Sequence, residues 1–326
     1  IVDGELSENL YTYMRDQIPF RDKLVLLSDD TQNVLAGDCI NDVYIGEEGY
    51  LLKNFEAPKD TYAANIEALT SLCEDISDRE LIVELVPTAT YVYKDKLPKH
   101  VSVYSESAVI EDAAKKLTAT GITLIDASDS LIAHKDENIY FKTDSHWTMD
   151  GAYYGYSDIC KSYGMEPTDR KNLSRTVGSD TFLGDLYSMA PTDNQADDDL
   201  VMYTNSSGEY KVDYIDDGAR AVSMMNIESL KLKDKYKVFL DGKHSRVRIA
   251  SNSENTEKIL VIKDSYGNAL VPFLADNYSE VNVIDIRYYT DSISEFVETN
   301  DIKKVVVICS IDTLTTDENL KDIKLK

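Results

Sequence analysis

The N-terminal half of the chain alternates between two spacings of apolar residues. Some segments place an apolar side chain every three or four positions, which predicts helices, and others form short unbroken apolar runs, which predicts strands. In chain order the predicted elements are a hairpin over 43–53, a helix over 60–76, a strand over 80–88, a helix over 107–117 and a strand over 121–127. Successive strand–helix units are typical of a parallel sheet with covered faces.

The C-terminal third repeats this alternation more clearly. Its predicted elements are strand 258–263, helix 265–278, strand 280–288, helix 291–300 and strand 304–311. Right-handed crossovers would place the three strands side by side and parallel. We therefore expect an α/β domain with a central, mostly parallel sheet that contains 81–86, 122–126, 258–263, 281–286 and 304–310.

Residues 166–230 differ from the rest of the chain because they are rich in Asp, Ser, Thr and Asn. We predict that they form an irregular insertion with short strands rather than an independent domain. The prediction is thus a single domain over 1–326, with an N-terminal segment over 1–40 and no internal repeat.

Composition and charge narrow the possible functions. The 34 Lys and Arg against 59 Asp and Glu give a net charge of −25, so the surface repels nucleic acid and anionic membranes, and we predict no nucleic-acid partner. The four cysteines lack C-x-x-C spacing, which argues against a zinc site, and Cys160 and Cys309 are expected to be buried thiols. Because the chain begins at Ile1 without Met, we expect that an N-terminal segment was removed.

The stretch YFKTDSHWTMDGAYYGY, residues 140–156, holds one of the four histidines and the single tryptophan. Asp144 and His146 are two apart in a predicted extended turn, so their side chains point the same way. They precede a predicted helix over 149–164 that has Thr148 as its N-cap. His146 can therefore be a catalytic base oriented by Asp144, a metal ligand, or a polar residue in a surface turn.

The metal interpretation ranks below the catalytic one. Asp144, His146 and Asp150 supply ligand types, but a hydrolytic metal site normally draws on further His and Asp clusters. The other three histidines have no such spacing. We therefore predict no metal or other cofactor, and activity that survives chelation by EDTA.

Ser265 lies in the turn between a predicted strand and a predicted helix. In parallel α/β sheets, ligand-binding and catalytic residues lie beyond the carboxyl ends of the strands. A hydroxyl there lies beside backbone N–H groups that can stabilise an oxyanion. Ser is also a favoured helix N-cap, and from this stretch alone the cap is the more economical interpretation.

Two long segments, YFKTDSHWTMDGAYYGY and LVIKDSYGNALVPFLADNYSEVNVIDIRYY, strongly resemble the DHHW family of bacterial exported proteins, which is related to the SGNH-hydrolase-like alginate O-acetyltransferases. Shorter segments at 17–23, 42–52, 181–190 and 237–243 also resemble family segments in the expected order, so the resemblance covers nearly the whole chain. The sequence departs from the family's name motif at Ser145, where the first His of DHHW would stand.

The resemblance implies a catalytic triad. Carried over by position, the Asp and His of the motif are Asp144 and His146, and the later serine is Ser265. It also implies a three-layer α/β/α, SGNH-hydrolase-like (flavodoxin-like) fold in circularly permuted order, since the serine comes last. The expected location is extracellular or at the cell surface, reached by export or by a membrane anchor.

Further candidates surround Ser265 and the end of the next strand. Tyr266, Gly267 and Asn268 are candidates for oxyanion support or close approach of the substrate, against the plain alternative of a first helical turn. Arg287 could bind the carboxylate of a sugar acid, but pairing with Asp285 or Asp264 is favoured.

Two functions of different classes follow. The first is acetyl transfer or ester hydrolysis on a polysaccharide through an acetyl-Ser265 intermediate, with a membrane-bound O-acyltransferase as a partner that donates acetyl groups. The second is a non-catalytic protein that keeps the fold and binds glycan or a partner. Hydrogen-bond spacing among Asp144, His146 and Ser265 would favour the first.

Overall fold

The computed structural model describes residues 38–193 and 195–325. The family-like segment 17–23, and most of the predicted N-terminal segment 1–40, lie outside the described residues. Among the described residues, no helix is long and apolar enough to cross a membrane.

The described residues contain strands and helices in alternation. The strands are β1 (Cys39–Ile40), β2 (Val43–Ile45), β3 (Leu51–Lys53), β4 (Glu80–Val86), β5 (Thr123–Asp126), β6 (Ser174–Phe182), β7 (Asp198–Thr204), β8 (Tyr210–Tyr214), β9 (Arg220–Ala221), β10 (Arg246–Ser251), β11 (Lys258–Lys263), β12 (Glu280–Asp285) and β13 (Lys304–Ser310). The helices are α1 (Thr61–Asp75), α2 (Ala89–Val92), α3 (Glu106–Thr118), α4 (Ser128–Ala133), α5 (Met149–Ser162), α6 (Asp185–Met189), α7 (Gly267–Leu274), α8 (Ile293–Thr299) and α9 (Ile311–Thr316).

A large central sheet organises the fold, in the order β5-β4-β13-β11-β12-β10-β8-β9. Its first five strands are parallel neighbours, and β10, β8 and β9 continue it in antiparallel fashion. These five parallel strands are the five that the sequence predicted. The mixed α/β fold with a large, mostly parallel central sheet is therefore confirmed.

Alternation along the strands divides the core between the two faces of the sheet. On β11, Ile259 and Val261 face one apolar cluster, whereas Leu260 and Ile262 face the other. Helices α5 and α7 cover the first face, and α1, α3, α8 and α9 cover the second. Every strand residue from Ile259 to Ile262 is buried, which explains why the sequence shows an unbroken apolar run there.

The region 166–230 is more regular than predicted. Strands β6 and β7 form an antiparallel pair with register shifts, while β8 and β9 join the antiparallel end of the central sheet. The region therefore takes part in the main fold, and its description as an insertion stays a prediction.

Of the two helices beside the candidate residues, one begins as predicted and the other begins later than predicted. The Thr148 side chain accepts a hydrogen bond from Gly151 N and caps α5, as predicted. Helix α7 begins at Gly267 instead of 265, because Asp264 holds the preceding residues in a turn by accepting a hydrogen bond from Tyr266 N. Asp144, His146 and Ser265 are therefore all presented from turns at helix starts.

Candidate active site

Two turns bring Asp144, His146 and Ser265 together. His146 Nδ1 lies 2.6 Å from Asp144 Oδ1, and His146 Nε2 lies 2.7 Å from Ser265 Oγ. Since a carboxylate can only accept, Nδ1 carries the proton and Nε2 is left to accept from the Ser265 hydroxyl. The structure thus joins the three predicted residues in one hydrogen-bonded chain, although Ser265 lies 119 residues from His146.

The turn that carries Asp144 is held by a buried carboxylate at the start of β7. Asp198 accepts hydrogen bonds from Lys142 N, Thr143 N and the Thr143 hydroxyl. On the far side, Trp147 Nε1 donates to Tyr266 O over 2.9 Å, which ties the turn to the one that carries Ser265. These bonds explain why an extended, irregular segment stays in one geometry when most of its side chains are buried.

Asp144 is almost fully buried and held by several donors. Its Oδ1 also accepts from His146 N, and its Oδ2 accepts from Asp185 N. Burial alone would raise the pKa of the Asp144 carboxyl, but the charge and hydrogen bonds of His146 outweigh burial and lower it. Asp144 is therefore ionised and accepts both hydrogens that His146 offers.

Burial and the charge of Asp144 also act in opposite directions on the pKa of the His146 imidazole. Burial lowers the pKa of His146, but the charge of Asp144 and its hydrogen bond raise it by more, so that it ends above its ordinary value. The negative charge of Asp144 thus stabilises the imidazolium that forms when His146 takes up a proton.

A second carboxylate, Asp185 at the start of α6, braces this turn. Its two oxygens accept from Ser145 N and the Ser145 hydroxyl, each over 2.8 Å. Burial and the nearby charge of Asp144 raise the pKa of Asp185 to about 6. Ser145, which departs from the family's name motif, is thus a hydrogen-bonding partner in the loop.

The ring of Tyr236 stacks on His146, with centroids 4.1 Å apart and planes 17° from parallel. Its hydroxyl donates to Ser265 O over 3.3 Å. Sequence reasoning missed both Tyr236 and Asp185. The available signal was their position: Asp185 lies within the family-like segment 181–190, and Tyr236 directly precedes the one at 237–243.

The helix start beside Ser265 differs from the expectation of free donors. Gly267 N donates to Asp264 O, Asn268 N donates to Ser265 O, and Tyr266 N donates to the Asp264 side chain. Asp264 also accepts from Ser310 N, which fixes the turn to the end of β13. The N–H groups of residues 266–268 are therefore already engaged within the fold.

The other candidates near Ser265 have separate environments. Asn268 lines the cleft and donates from Nδ2 to Gly242 O over 3.3 Å, while its Oδ1 is buried without a partner among the described residues. Tyr266 is buried and donates from its hydroxyl to Ser145 O. At Gly267 a Cβ would lie 2.6 Å from Lys263 Cβ, so glycine is needed for packing there. Tyr266 and Gly267 are not among the residues that line the cleft.

Arg287 pairs with Asp285, which is the interpretation that the sequence favoured. Its Nε and Nη2 donate to the two oxygens of Asp285 over 2.9 and 2.7 Å, and Lys263 Nζ reaches the same carboxylate over 2.8 Å. Although Asp285 is buried, the charge of Lys263 and the hydrogen bond from Arg287 lower its pKa. Arg287 also lines the cleft, so its bound partner holds the guanidinium at the edge of the site.

The His146–Ser265 pair lies in a cleft of about 400 Å³. Its lining also includes residues from the segments 182–189 and 233–243. The cleft is large enough for a small acyl group and part of a sugar.

Potential metal ligands lie elsewhere. Among the described residues, the group that could hold an ion is Asp216, Asp217 and His244, which includes neither Asp144 nor His146. Asp150, considered as a third ligand, instead bonds Arg170 Nη1 and the Tyr203 hydroxyl. The residues at Ser265 thus offer an Asp–His pair directed at a hydroxyl.

The fold is that of a mixed α/β domain with a large, mostly parallel central sheet, and comparison with known proteins gives its family. The model of the DHHW protein family matches residues 29–284, so the chain belongs to the DHHW family. The comparison with curated protein sequences gave no match.

Solved structures share the fold. A DHHW family protein from Eubacterium siraeum is 22% identical with a TM-score of 0.74, over 90% of this chain and 98% of that one. PatB1 from Bacillus cereus, solved with a sulfonyl adduct, is 23% identical with a TM-score of 0.71, over 85% of this chain and 96% of that one. The O-acetyltransferase domain of Pseudomonas putida AlgJ is 14% identical with a TM-score of 0.55, over 87% and 98%.

Proposed function

We propose that this protein transfers acetyl groups between ester and hydroxyl on an extracellular or cell-wall polysaccharide, through an acetyl-Ser265 intermediate. The observation that carries the proposal is the unbroken hydrogen-bonded chain from Asp144 through His146 to Ser265. A protein that only bound glycan would not need hydrogen-bond distances at both links. The geometry therefore favours an enzyme over the binding protein.

In the first half of the reaction, the Ser265 hydroxyl loses its proton to His146 Nε2 as Oγ forms a bond with the acetyl carbonyl carbon. The tetrahedral intermediate then expels the donor alkoxide, which takes the proton back from Nε2. Asp144 accepts from Nδ1 throughout and stabilises the imidazolium. The products are a released alcohol and acetyl-Ser265.

In the second half, an acceptor hydroxyl gives its proton to His146 Nε2 and attacks the acetyl carbon. The bond between Oγ and the acetyl carbon breaks, and Ser265 regains its proton from Nε2. A sugar hydroxyl as acceptor makes the enzyme a transferase, and water makes it an esterase. No proton or electron is gained or lost over the cycle, so no cofactor is required.

The oxyanion needs donors that the turn has not already used. Since the N–H groups of residues 266–268 are engaged, we assign this role to Ser265 N–H and the side-chain amide of Asn268. Asn268 lies one helical turn after Ser265 and lines the same cleft. Its bond to Gly242 O holds the amide beside the reaction centre.

Two related structures support the proposed function. The adduct on PatB1 is a sulfonyl group, which attaches to nucleophilic side chains, and the AlgJ domain is named an O-acetyltransferase. We further propose that the acetyl donor is a membrane-bound O-acyltransferase partner and that the protein acts outside the cell. The permuted SGNH-hydrolase-like order and layering belong to the same proposal.

The test is incubation with 4-nitrophenyl acetate, followed by intact-mass measurement and peptide mapping. The wild-type protein should gain one acetyl group on Ser265, and Ser265→Ala should gain none. Ser174→Ala, which removes an exposed hydroxyl on β6, is the control and should behave like the wild type. Turnover of acetyl esters by Ser265→Ala at a rate near wild type would show that the nucleophile assignment is wrong.

A further inference from the structure

One wall of the cleft carries a concentration of positive charge. The segment 233–243, here called the lysine wall, contributes Lys233, Lys237 and Lys243 to the lining of the cleft. The whole chain has a net charge of −25, so cations are the minority of its charged groups. A cluster of lysines beside the nucleophile of such a chain departs from its average surface.

The lysine wall is built onto the reacting residues. Tyr236, in the middle of the wall, stacks on His146 and donates to Ser265 O. At the far end, Gly242 O accepts from Asn268, which lies on the helix that follows Ser265. The wall is thus bonded to Ser265 itself and to the helix that follows it.

The lysines of this segment have divided roles. Lys235 turns away from the cleft and donates to Ser179 Oγ, Thr181 O and Thr181 Oγ1 over 2.6–2.8 Å, which anchors the wall to β6. Lys237 has a loose contact with Asp234 at 3.6 Å, between side chains that are 43% and 59% exposed. An exposed pair of this kind is worth little and leaves the ammonium group available to another anion.

Lys243 follows a sharp turn. Leu240, Asp241 and Gly242 have φ values of 53°, 57° and 84°, and the Asp241 carboxylate accepts from Asn226 Nδ2. Three successive left-handed residues reverse the chain at a conformational cost. Lys243 emerges from this turn exposed at the cleft and without an ion-pair partner among the described residues.

Among the described residues that line the cleft, those of the segment 184–189 include no cation. Its lining residues are Gly184, Asp185, Ser188 and Met189, and the Asp185 carboxylate is turned onto Ser145. Arg287 also lines the cleft, and Asp285 already holds it in a two-point contact. Among the described residues that line the cleft, Lys237 and Lys243 are therefore the cations best placed to meet an anionic ligand.

We infer that the acceptor is an anionic glycan, whose carboxylate or phosphate groups contact Lys237 and Lys243 while a neighbouring hydroxyl faces Ser265. This inference rests on the proposed function and names its substrate class. A chain with so negative a charge repels a polyanion at long range, so an anionic acceptor requires local cations of this kind. A neutral glycan would need none.

The test measures acetyl transfer from 4-nitrophenyl acetate to three oligosaccharides of equal length: neutral, carboxylate-bearing and phosphate-bearing. Charged acceptors should have the lower KM, and added NaCl should raise the KM for these alone. Lys237→Ala and Lys243→Ala should each raise that KM by up to about fivefold, as loss of one exposed ion contact would. Lys243→Arg, which keeps the positive charge, should restore the KM.

Lys115→Ala is the matched control, because Lys115 is an exposed lysine on α3 at the other face of the sheet. It should leave every KM unchanged. The preference between the carboxylate and phosphate acceptors identifies which group the wall binds. Equal KM values for neutral and charged acceptors, or lysine variants that behave like Lys115→Ala, would overturn the inference.

Failure of the proposed function has a different signature, namely no acetyl adduct on Ser265 with any acceptor. In that event the binding of the same oligosaccharides is measured by calorimetry with the unmodified protein. Tighter binding of charged oligosaccharides that is lost in Lys237→Ala and Lys243→Ala supports the inference. Equal or absent binding overturns it.

Discussion

Gly184 and Asp144 are in such close contact that no other residue fits at position 184 without movement. A Cβ on Gly184 would lie 2.2 Å from Asp144 Cβ and 2.3 Å from Asp144 Oδ2. Real Cβ atoms do not approach other atoms so closely. The backbone of Gly184 is held there in turn, since its N–H donates to Thr143 Oγ1 over 3.1 Å. The position of the Asp144 carboxylate therefore depends on the absence of one methyl group on a different loop.

From this contact we predict that Gly184→Ala pushes Asp144 out of line with His146. The fold should persist, because the clash involves one side chain at a turn, but kcat on 4-nitrophenyl acetate should fall about 100-fold or more. Gly178→Ala is the control: its Cβ would meet the flexible end of Met202 at 2.9 Å, which can move. Near wild-type activity of Gly184→Ala would contradict the assigned role of Asp144.

The second prediction concerns pH. His146 must be neutral to act as a base, so activity should rise with pH through its raised pKa, above the ordinary value of about 6.5. Asp144→Asn removes the charge that raises this pKa, so the acid limb of the kcat/KM profile should move to lower pH. The same change favours the wrong tautomer and should lower the maximal rate by about 10⁴-fold.

His146→Ala should lose about 10²–10⁴-fold in rate, since it removes the general base. Asp180→Asn changes an exposed carboxyl on β6 and serves as the control for both variants. An acid limb that stays in place in Asp144→Asn would show that a group other than His146 titrates in the profile.

The third prediction treats Asp185 as a positioning residue. Asp185→Ala removes both acceptors from Ser145, so the turn between Asp144 and His146 loses its brace, and kcat should fall about tenfold. KM should change little, because the loss acts through the triad geometry. The charge of Asp185 also helps to raise the pKa of His146, so the acid limb should move to lower pH.

Asp185→Asn should recover part of kcat but not the position of the acid limb, because the amide can accept a hydrogen bond but carries no charge. This separation distinguishes positioning from general stability. A loss of thermal stability alone, with unchanged kcat and pH profile, would make Asp185 a structural residue only.

The fourth prediction concerns a buried carboxyl that the reaction does not use. Glu84 on β4 is fully buried, and neither of its oxygens has a hydrogen-bond partner among the described residues. Burial, with a smaller contribution from the charge of Asp158, raises the pKa of Glu84 to about 8. The folded protein therefore keeps a proton that the unfolded chain releases near pH 4.5.

Stability should consequently fall as pH rises from about 4.5 to about 8, because over that window only the folded state binds this proton. The slope from one such group is about 1.4 kcal/mol per pH unit. Glu84→Gln is neutral at every pH and takes up no such proton. The free energy of unfolding of Glu84→Gln minus that of the wild type should therefore increase with pH by about 1.4 kcal/mol per pH unit. Urea unfolding at pH 5.5, 6.5 and 7.5 measures this, with exposed Glu111→Gln as control. Parallel stability curves for Glu84→Gln and the wild type would contradict it.

The parallel strands could be predicted because their sequence records their environment directly. Residues 259–262 and 305–309 are apolar on both faces, and every residue from Ile259 to Ile262 is buried. A run of that kind, followed by a helical stripe, is a local pattern. The partner of Arg287 was also local, since Asp285 is two residues away at the end of the same strand.

Other parts of the fold depended on distant segments. Strand β8, in a polar region, pairs with β10 because the antiparallel end of the central sheet offers it unpaired backbone groups. The shortened start of α7 depends on Asp264, which bonds both Tyr266 N and Ser310 N. No pattern in the sequence around 265 contains the position of residue 310.

Some features of the candidate site could likewise be predicted from local sequence, and others depended on distant segments. The sequence by itself determined the Asp144–His146 pair, because two residues in one extended turn are neighbours wherever the turn lies. It placed Ser265 beside them only through family resemblance. Tertiary structure alone decided that Asp185 braces Ser145, that Tyr236 stacks on His146, and that Gly184 leaves room for Asp144. Local backbone preference is determined by neighbouring residues, whereas a contact across 119 residues exists only when the whole core has packed and closed the intervening loop.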